Sequence, residues 1–139
     1  MMIPAKYLMI AHKRVALGSN SNGKEVIYRL MAAGLPGLPV VNEEMEVIGI
    51  VTTFDLLGVI REGLNLAEIT AAKIMSKAPV TADPETTSDK LIEMMLENNF
   101  TVIPIVKDKR LVGVVDRFSI MDAHIEPRVY PGVNRYFEG

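Results

Sequence analysis

The sequence contains no cysteine and no tryptophan, and its aromatic side chains are limited to four Tyr and four Phe. The absence of cysteine excludes a disulfide framework, a thiol nucleophile and a cysteine metal site. The formal net charge is only −2, which argues against nucleic acid or a membrane surface as the main partner. No apolar run approaches the ~20 residues of a membrane-spanning helix.

The composition is otherwise typical of a soluble globular protein, with 49% hydrophobic and 23% charged residues. Residues 1–6 lack the pattern of a secretory signal, so we expect a cytoplasmic protein. His12 and His124 lack metal-ligand spacing, and no metal site is expected. Because no nucleophile–base pair or paired catalytic carboxylates can be assembled, we do not expect an enzyme.

An internal repeat with a period of about 65 residues organises the chain. Residues 38–41 match 103–106, and residues 48–51 match 112–115. In each half the pattern predicts a helix, a short strand, a longer helix, two strands and a closing helix. A half of about 60 residues is near the lower limit for an independent core. We therefore expect the halves to pack sheet to sheet with pseudo-twofold symmetry.

The predicted helices and strands repeat in the same order in both halves. The predicted helices are residues 4–11, 24–34, 53–61, 66–75, 89–99 and 117–124. The predicted strands are residues 14–17, 38–41, 47–51, 79–82, 102–106 and 111–115. The last two strands of each half are close in sequence, which favours an antiparallel hairpin.

Thr52 ends a buried strand, and Asp55 follows at the third position of the predicted helix. The free N–H groups and dipole of such a helix start attract phosphate, and a carboxylate beside them can accept hydrogen bonds from a sugar diol. The same pattern is a capping box, which satisfies the N–H groups without a ligand. Nucleotide binding and helix capping therefore remain alternative interpretations of this motif.

The repeat, the Pro-Val-Val strand at residues 39–41 and the Gly-Ile-Val-Thr-Thr-Phe-Asp turn at 49–55 resemble a tandem pair of CBS domains (cystathionine β-synthase domains), a Bateman module. The resemblance implies an α+β fold of two β-α-β-β-α units, residues 5–65 and 66–125, packed through their sheets. A tail follows at residues 126–139. The resemblance also implies disc-like homodimers that sense AMP, ADP or ATP, or less commonly S-adenosylmethionine or NAD.

The same resemblance assigns residues of the first half to a nucleotide cleft. In the family pattern the position of Thr52 contacts phosphate and that of Asp55 holds the ribose hydroxyls, with Thr53 between them. The adenine base would lie in an apolar slot formed by Ala16, Leu17, Leu38 and Pro39. The alternative interpretation of these four residues is a strand core, since apolar strand residues are usually core. Arg117 either neutralises phosphate, if the two clefts adjoin, or is a solvated surface residue.

The second half departs from the family pattern, because Asp116 replaces the threonine and Ser119 replaces the aspartate. Asp116 is still a good N-cap. However, the diol-binding carboxylate is absent, and a carboxylate ~4 Å from a phosphate would cost about 1–4 kcal/mol. We expect a second cleft that is empty or adapted to another ligand. The residues predicted to line this cleft are Thr81, Ile103, Pro104, Asp116 and Ser119.

Two functional hypotheses follow. The first is a regulatory module that binds an adenine nucleotide and passes the change to its own dimer or to a partner protein. The second is a structural or oligomerisation module with no physiological nucleotide ligand. The tail carries Tyr130, Tyr136 and Phe137, and it is either frayed or packed on a partner subunit.

Overall fold

The computed structural model describes residues 2–125, and the tail predicted at residues 126–139 lies outside them. The helices are α1 (Gly23–Ala33), α2 (Thr53–Arg61), α3 (Ala71–Ile74), α4 (Ser88–Asn98) and α5 (Arg117–Ile125). The strands are β1 (Ile10–Ala11), β2 (Leu17–Gly18), β3 (Gly37–Val41), β4 (Val47–Thr52), β5 (Ser76–Lys77), β6 (Val102–Lys107) and β7 (Arg110–Asp116). Two short 3-10 turns, Ala5–Tyr7 and His12–Arg14, precede β2.

The strands form two sheets, with the orders β2-β3-β4-β5 and β1-β7-β6. The hairpins β3–β4 and β6–β7 are antiparallel and confirm the sequence prediction. Strand β2 pairs with β3 in parallel. The repeated order of helices and strands confirms the α+β fold with two similar halves.

The short edge strands are exchanged between the two halves. Strand β1, from the start of the chain, pairs with β7, so that Ile10 faces Val114. Strand β5 pairs with β4 of the first half, so that Lys77 faces Gly49. Each sheet therefore contains one short strand from the other half, which the sequence did not predict.

Two buried clusters of apolar side chains form the core. The first lies in the first half and includes Leu17, Leu38 and Val51, together with Val102 and Val114 from the second half. This mixed membership is the packing between sheets that the repeat predicted. The second cluster contains residues of α4, α5 and the second hairpin, and also takes in three residues of the N-terminal segment, namely Ile3, Ala5 and Leu8.

Four predicted segments differ from the observed structure. The predicted helix 4–11 is a 3-10 turn followed by β1, and the predicted strand 14–17 begins later, as β2. The predicted strand 79–82 is reduced to a single bridge between Ala82 and Ile105. The predicted helix 66–75 shortens to α3 because the Leu66 and Ile69 carbonyls accept hydrogen bonds from the start of α1 instead. The remaining predicted helices and strands are present.

Among the helices in residues 2–125, none combines the length and the apolar character needed to cross a bilayer.

Candidate functional site

A cavity of about 330 Å³ lies between the end of β4 and the second half of the chain. The first half contributes Gly37, Ile50 and Thr52 to its wall. The second half contributes Ser76, Lys77, Ala78, Pro79, Val80, Asn99, Phe100, Thr101, Val102 and Pro104. The exchange of β5 onto β4 is what brings these two groups of residues together.

The junction of β4 and α2 carries the predicted capping box. The Asp55 N–H donates to Thr52 Oγ1 at 3.3 Å, and the Thr52 N–H donates to Asp55 Oδ2 at 2.8 Å. The bond from Thr52 uses one oxygen of the Asp55 carboxylate, and an ionised carboxylate offers further acceptor positions. Capping and hydrogen bonding to a ligand diol are therefore compatible at this residue.

The start of α2 has few free backbone donors. Thr53, which is exposed, donates its N–H to the Pro36 carbonyl at 2.9 Å. The Asp55 N–H is occupied by Thr52 Oγ1. Two of the first three N–H groups of α2 are thus already bonded, and the attraction of this helix start for an anion is correspondingly reduced.

The four residues predicted to form the base slot lie outside the wall of this cavity. Leu17 and Leu38 are completely buried in the first core cluster. Pro39 is paired with Ile50 across the β3–β4 hairpin. Ala16 is half-buried, and its carbonyl accepts a hydrogen bond of 2.8 Å from the Arg29 guanidinium. Of the residues predicted for the first cleft, only Thr52 lines the cavity, and Thr53 and Asp55 lie outside its wall.

The residues predicted for the second cleft are distributed over several environments. Pro104 lines the same cavity as Thr52, whereas Ile103 is buried in the second core cluster and Thr81 is exposed. Asp116 is only 5% exposed. Its Oδ1 accepts hydrogen bonds from the Ser119 N–H at 3.0 Å and from the Ser119 hydroxyl at 2.7 Å. This pair caps the start of α5.

Arg117 does not line the cavity. It is exposed, lies over the Phe118 ring at 5.1 Å, and faces a separate apolar groove of about 610 Å³ between α4 and α5. The cation on the cavity wall is Lys77. The sequence did not predict Lys77 as a site residue, because each cleft was expected to form within one half of the chain. The available signal was the similarity of residues 72–75 to residues 5–9, which marks the segment leading into β5 as part of the repeat.

Residues 2–125 contain no group of three or more His, Asp or Glu side chains placed to hold a metal ion.

Comparison with known proteins identifies the repeat. The CBS domain family model matches residues 10–62 and 71–126. An uncharacterised protein of Methanopyrus kandleri is 31% identical over 121 residues, which cover 85% of this chain and 61% of that protein. The chain therefore spans less than two thirds of the length of this relative.

Solved structures share the same fold. CBSX2 in complex with AMP superposes with a TM-score of 0.77 at 20% identity, covering 88% of this chain and 96% of that one. A CBS domain pair in complex with 5′-methylthioadenosine and S-adenosyl-L-methionine has a TM-score of 0.77 at 24% identity, covering 88% and 99%. With both halves matched by the family model and the whole arrangement shared with domain pairs, the chain belongs to the CBS domain family.

Proposed function

We propose that this chain is a regulatory module that binds an adenosine-containing ligand in the cavity beside Thr52. We expect AMP, ADP or ATP before S-adenosylmethionine or NAD. The observation that carries the proposal is that Thr52, which is hydrogen-bonded to Asp55, lines a largely apolar cavity. Such a cavity, with a few polar groups at one end, is typical of a small-molecule site.

The parts of a nucleoside fit different parts of this site. Pro79, Val80 and Pro104 supply apolar surface against which a base would pack. The Asp55 carboxylate retains acceptor positions for the hydroxyls of a ribose. We therefore propose for Thr52 and Asp55 the roles that the family pattern implies. The base would contact residues of the second half.

A ligand at this site would contact both halves of the chain at once. Its contacts with Thr52 belong to the first half, and its contacts with Phe100 and Pro104 belong to the second. A ligand that binds one relative packing of the halves more tightly shifts the population toward that packing. This is the proposed means of regulation.

The test is a thermal-shift experiment with AMP, ADP, ATP, S-adenosylmethionine and NAD. A ligand at ~100 times its Kd should stabilise the protein by about 2.7 kcal/mol and raise its melting temperature by a few degrees. Asp55→Ala should remove this shift. The matched control is Ser119→Ala, at the equivalent position of the second half, which should keep it.

The result that would contradict the proposal is the same melting temperature with and without each of the five ligands. The melting temperature of Asp55→Ala without ligand does not discriminate. Because Asp55 accepts the Thr52 N–H, this variant is destabilised whether or not a ligand binds. The ligand-dependent shift is therefore the decisive quantity.

The closed capping box favours the alternative of a structural or oligomerisation module. In the absence of ligand, the Thr52 and Asp55 side chains already satisfy each other's backbone N–H groups. Under this alternative, the Asp55→Ala variant loses about 0.5–2 kcal/mol of stability, as for loss of other helix caps. It would show no change in ligand binding, because the wild-type protein would bind none of the five ligands.

We also propose that two copies of the chain form a homodimer through their helices. Helices α1 and α2 expose Tyr28, Met31, Phe54, Leu57 and Ile60. Helices α4 and α5 expose Leu96, Phe118, Met121 and Ile125. Large apolar side chains exposed on neighbouring helices are typical of an interface. Two related faces on one molecule suit a closed contact between two copies.

The remaining parts of the proposal rest on the sequence. We propose residues 5–65 and 66–125 as the two units, regulation without catalysis or a catalytic cofactor, and a cytoplasmic location. We propose no nucleic-acid or membrane partner, in keeping with the net charge of −2. A regulated partner protein is not specified by any residue pattern.

A further inference from the structure

We propose that the cavity selects adenosine ligands that carry negative charge, and that Lys77 is the residue responsible for this selection. The inference rests on the proposed function, because it concerns which ligand the same cavity accepts. Adenosine ligands differ in charge: AMP is an anion, 5′-methylthioadenosine is neutral, and S-adenosylmethionine carries a sulfonium cation. The charged groups around the cavity therefore distinguish among them.

Lys77 supplies a positive charge that no other wall residue opposes. Among the described residues that line the cavity, it is the one with a charged side chain, and none is Asp or Glu. Both ion pairs within residues 2–125 involve other residues. A lysine ammonium is a compact point charge on a flexible stem. Its charge is therefore available to an anion in the cavity.

The backbone holds Lys77 at this position. Lys77 lies on β5, where it is paired with Gly49 of β4. Immediately after it, Ala78 has a positive φ of 52°, which redirects the chain toward Pro79. Both Ala78 and Pro79 line the cavity. The strand pairing thus fixes the starting point of the lysine side chain at the cavity wall.

Other sources of positive potential at the cavity are weak. Two of the first three N–H groups of α2 are bonded within the protein, through Pro36 and Thr52. The Asp55 carboxylate lies at the same helix start and opposes an anion there. Arg117 faces the groove between α4 and α5. A phosphate in this cavity would consequently depend on Lys77 for its charge pairing.

The predicted order of affinity is therefore AMP above 5′-methylthioadenosine, and both above S-adenosylmethionine. Since Lys77 is exposed, solvent screens its charge. Removing that charge should weaken AMP binding about three- to tenfold, the range between an exposed ion pair and a hydrogen bond to a charged group. Binding of neutral 5′-methylthioadenosine should not change.

The experiment is isothermal titration calorimetry of these three ligands with the wild-type protein, Lys77→Met and Lys73→Met. Methionine keeps most of the apolar stem and removes the charge. Lys73 is also exposed and lies on α3, four residues earlier, but it does not line the cavity. We expect Lys77→Met to weaken AMP binding selectively, and Lys73→Met to leave all three affinities unchanged.

Each outcome has a definite meaning. If Lys77→Met weakens AMP and 5′-methylthioadenosine equally, or if the wild-type protein binds S-adenosylmethionine as tightly as AMP, charge selection is wrong while adenosine binding stands. Equal loss of AMP binding in Lys73→Met would also overturn it, because the effect would then reflect net charge. Failure of all three ligands to bind the wild-type protein overturns this inference, and the proposed function falls with it if ADP, ATP and NAD also fail to bind.

Discussion

Two glycines permit the exchanged strands to approach the hairpins. A Cβ on Gly49 would overlap the Met75 sulfur and would lie 2.8 Å from the Ser76 carbonyl oxygen. A Cβ on Gly113, the equivalent residue of the second half, would lie 2.9 Å from the Met9 sulfur. The same requirement at equivalent positions shows that each hairpin accepts its extra strand in the same way. Gly49 matters for the site because β5 carries Lys77.

Gly49→Ala should lower stability by about 1–3 kcal/mol, the usual cost of an overpacked interior. Met75 can adjust its side chain, but the Ser76 carbonyl belongs to the backbone, so β5 must move. Urea unfolding measures the loss. The control is Gly58→Ala in the middle of α2, where a Cβ meets no atom within 4 Å. That change should stabilise the protein by about 0.5–1 kcal/mol.

A Gly49→Ala variant as stable as the wild-type protein would show that β5 shifts without cost. The close approach at Gly49 would then not be needed for the fold. Ligand binding measured on the same variant would report separately whether the cavity survives a displacement of β5.

At the scale of whole elements, the N-terminal segment is a structural part of the second half. The Ile3 side chain is completely buried in the second core cluster. Its N–H donates to the Ser88 hydroxyl at 3.0 Å, and its carbonyl accepts the Ser88 N–H at 2.8 Å. The Ala5 N–H donates to the Thr86 carbonyl at 2.8 Å. The segment is thus attached to the start of α4.

Ile3→Ala should lower the free energy of unfolding by about 2–5 kcal/mol, and Ile3→Val by about 0.5–1.5 kcal/mol. The reason is the cavity left among the buried side chains that surround Ile3. Chemical denaturation measures both values. Met2→Ala, at the adjacent residue that is 60% exposed, is the control and should have little effect.

Amide hydrogen exchange can show which elements are destabilised by Ile3→Ala. Protection should fall first in α4 and β7, the elements that the N-terminal segment contacts. A loss of protection confined to α1 and α2 would mean that the segment does not support the second half.

At the scale of the whole molecule, the exposed helical faces predict self-association. Phe54 and Phe118 occupy equivalent places in the repeat and are 80% and 59% exposed. Exposed aromatic side chains on matching faces favour burial between two copies. A ligand-dependent shift in the packing of the halves would then also move the helices at the proposed dimer interface. In this way the proposed regulation would change the contact between the two copies.

Replacing Phe54 and Leu57 together with serine should convert the proposed homodimer to a monomer, because both apolar side chains are removed from the exposed face of α2. Light scattering coupled to size-exclusion chromatography measures the mass. Serine at Glu43 and Glu44, both exposed in the turn of the first hairpin, is the control and should leave the dimer intact. A wild-type protein that elutes as a monomer at all concentrations would contradict the proposal.

Residue patterns within the sequence determined the parts of the fold that depend on near neighbours. The periodicity of apolar residues predicted α1, α2, α4 and α5, and the alternation of apolar runs and turns predicted both long hairpins. Thr52 and Asp55 predicted a capping box because its partners are three residues apart. The repeat and its family pattern predicted the pairing of two halves. Each of these features is encoded in a short stretch or in a stretch that recurs.

Only the tertiary structure decided the exchange of β1 and β5 and the composition of the cavity. A two-residue strand has too few residues for a pattern, and its place depends on partners far away in sequence, as with Ile10 and Val114. The sequence therefore suggested a base slot within one half. Folding instead joined Thr52 of the first half to Lys77 and Pro104 of the second, because the edge strand beside Thr52 comes from the other copy of the repeat.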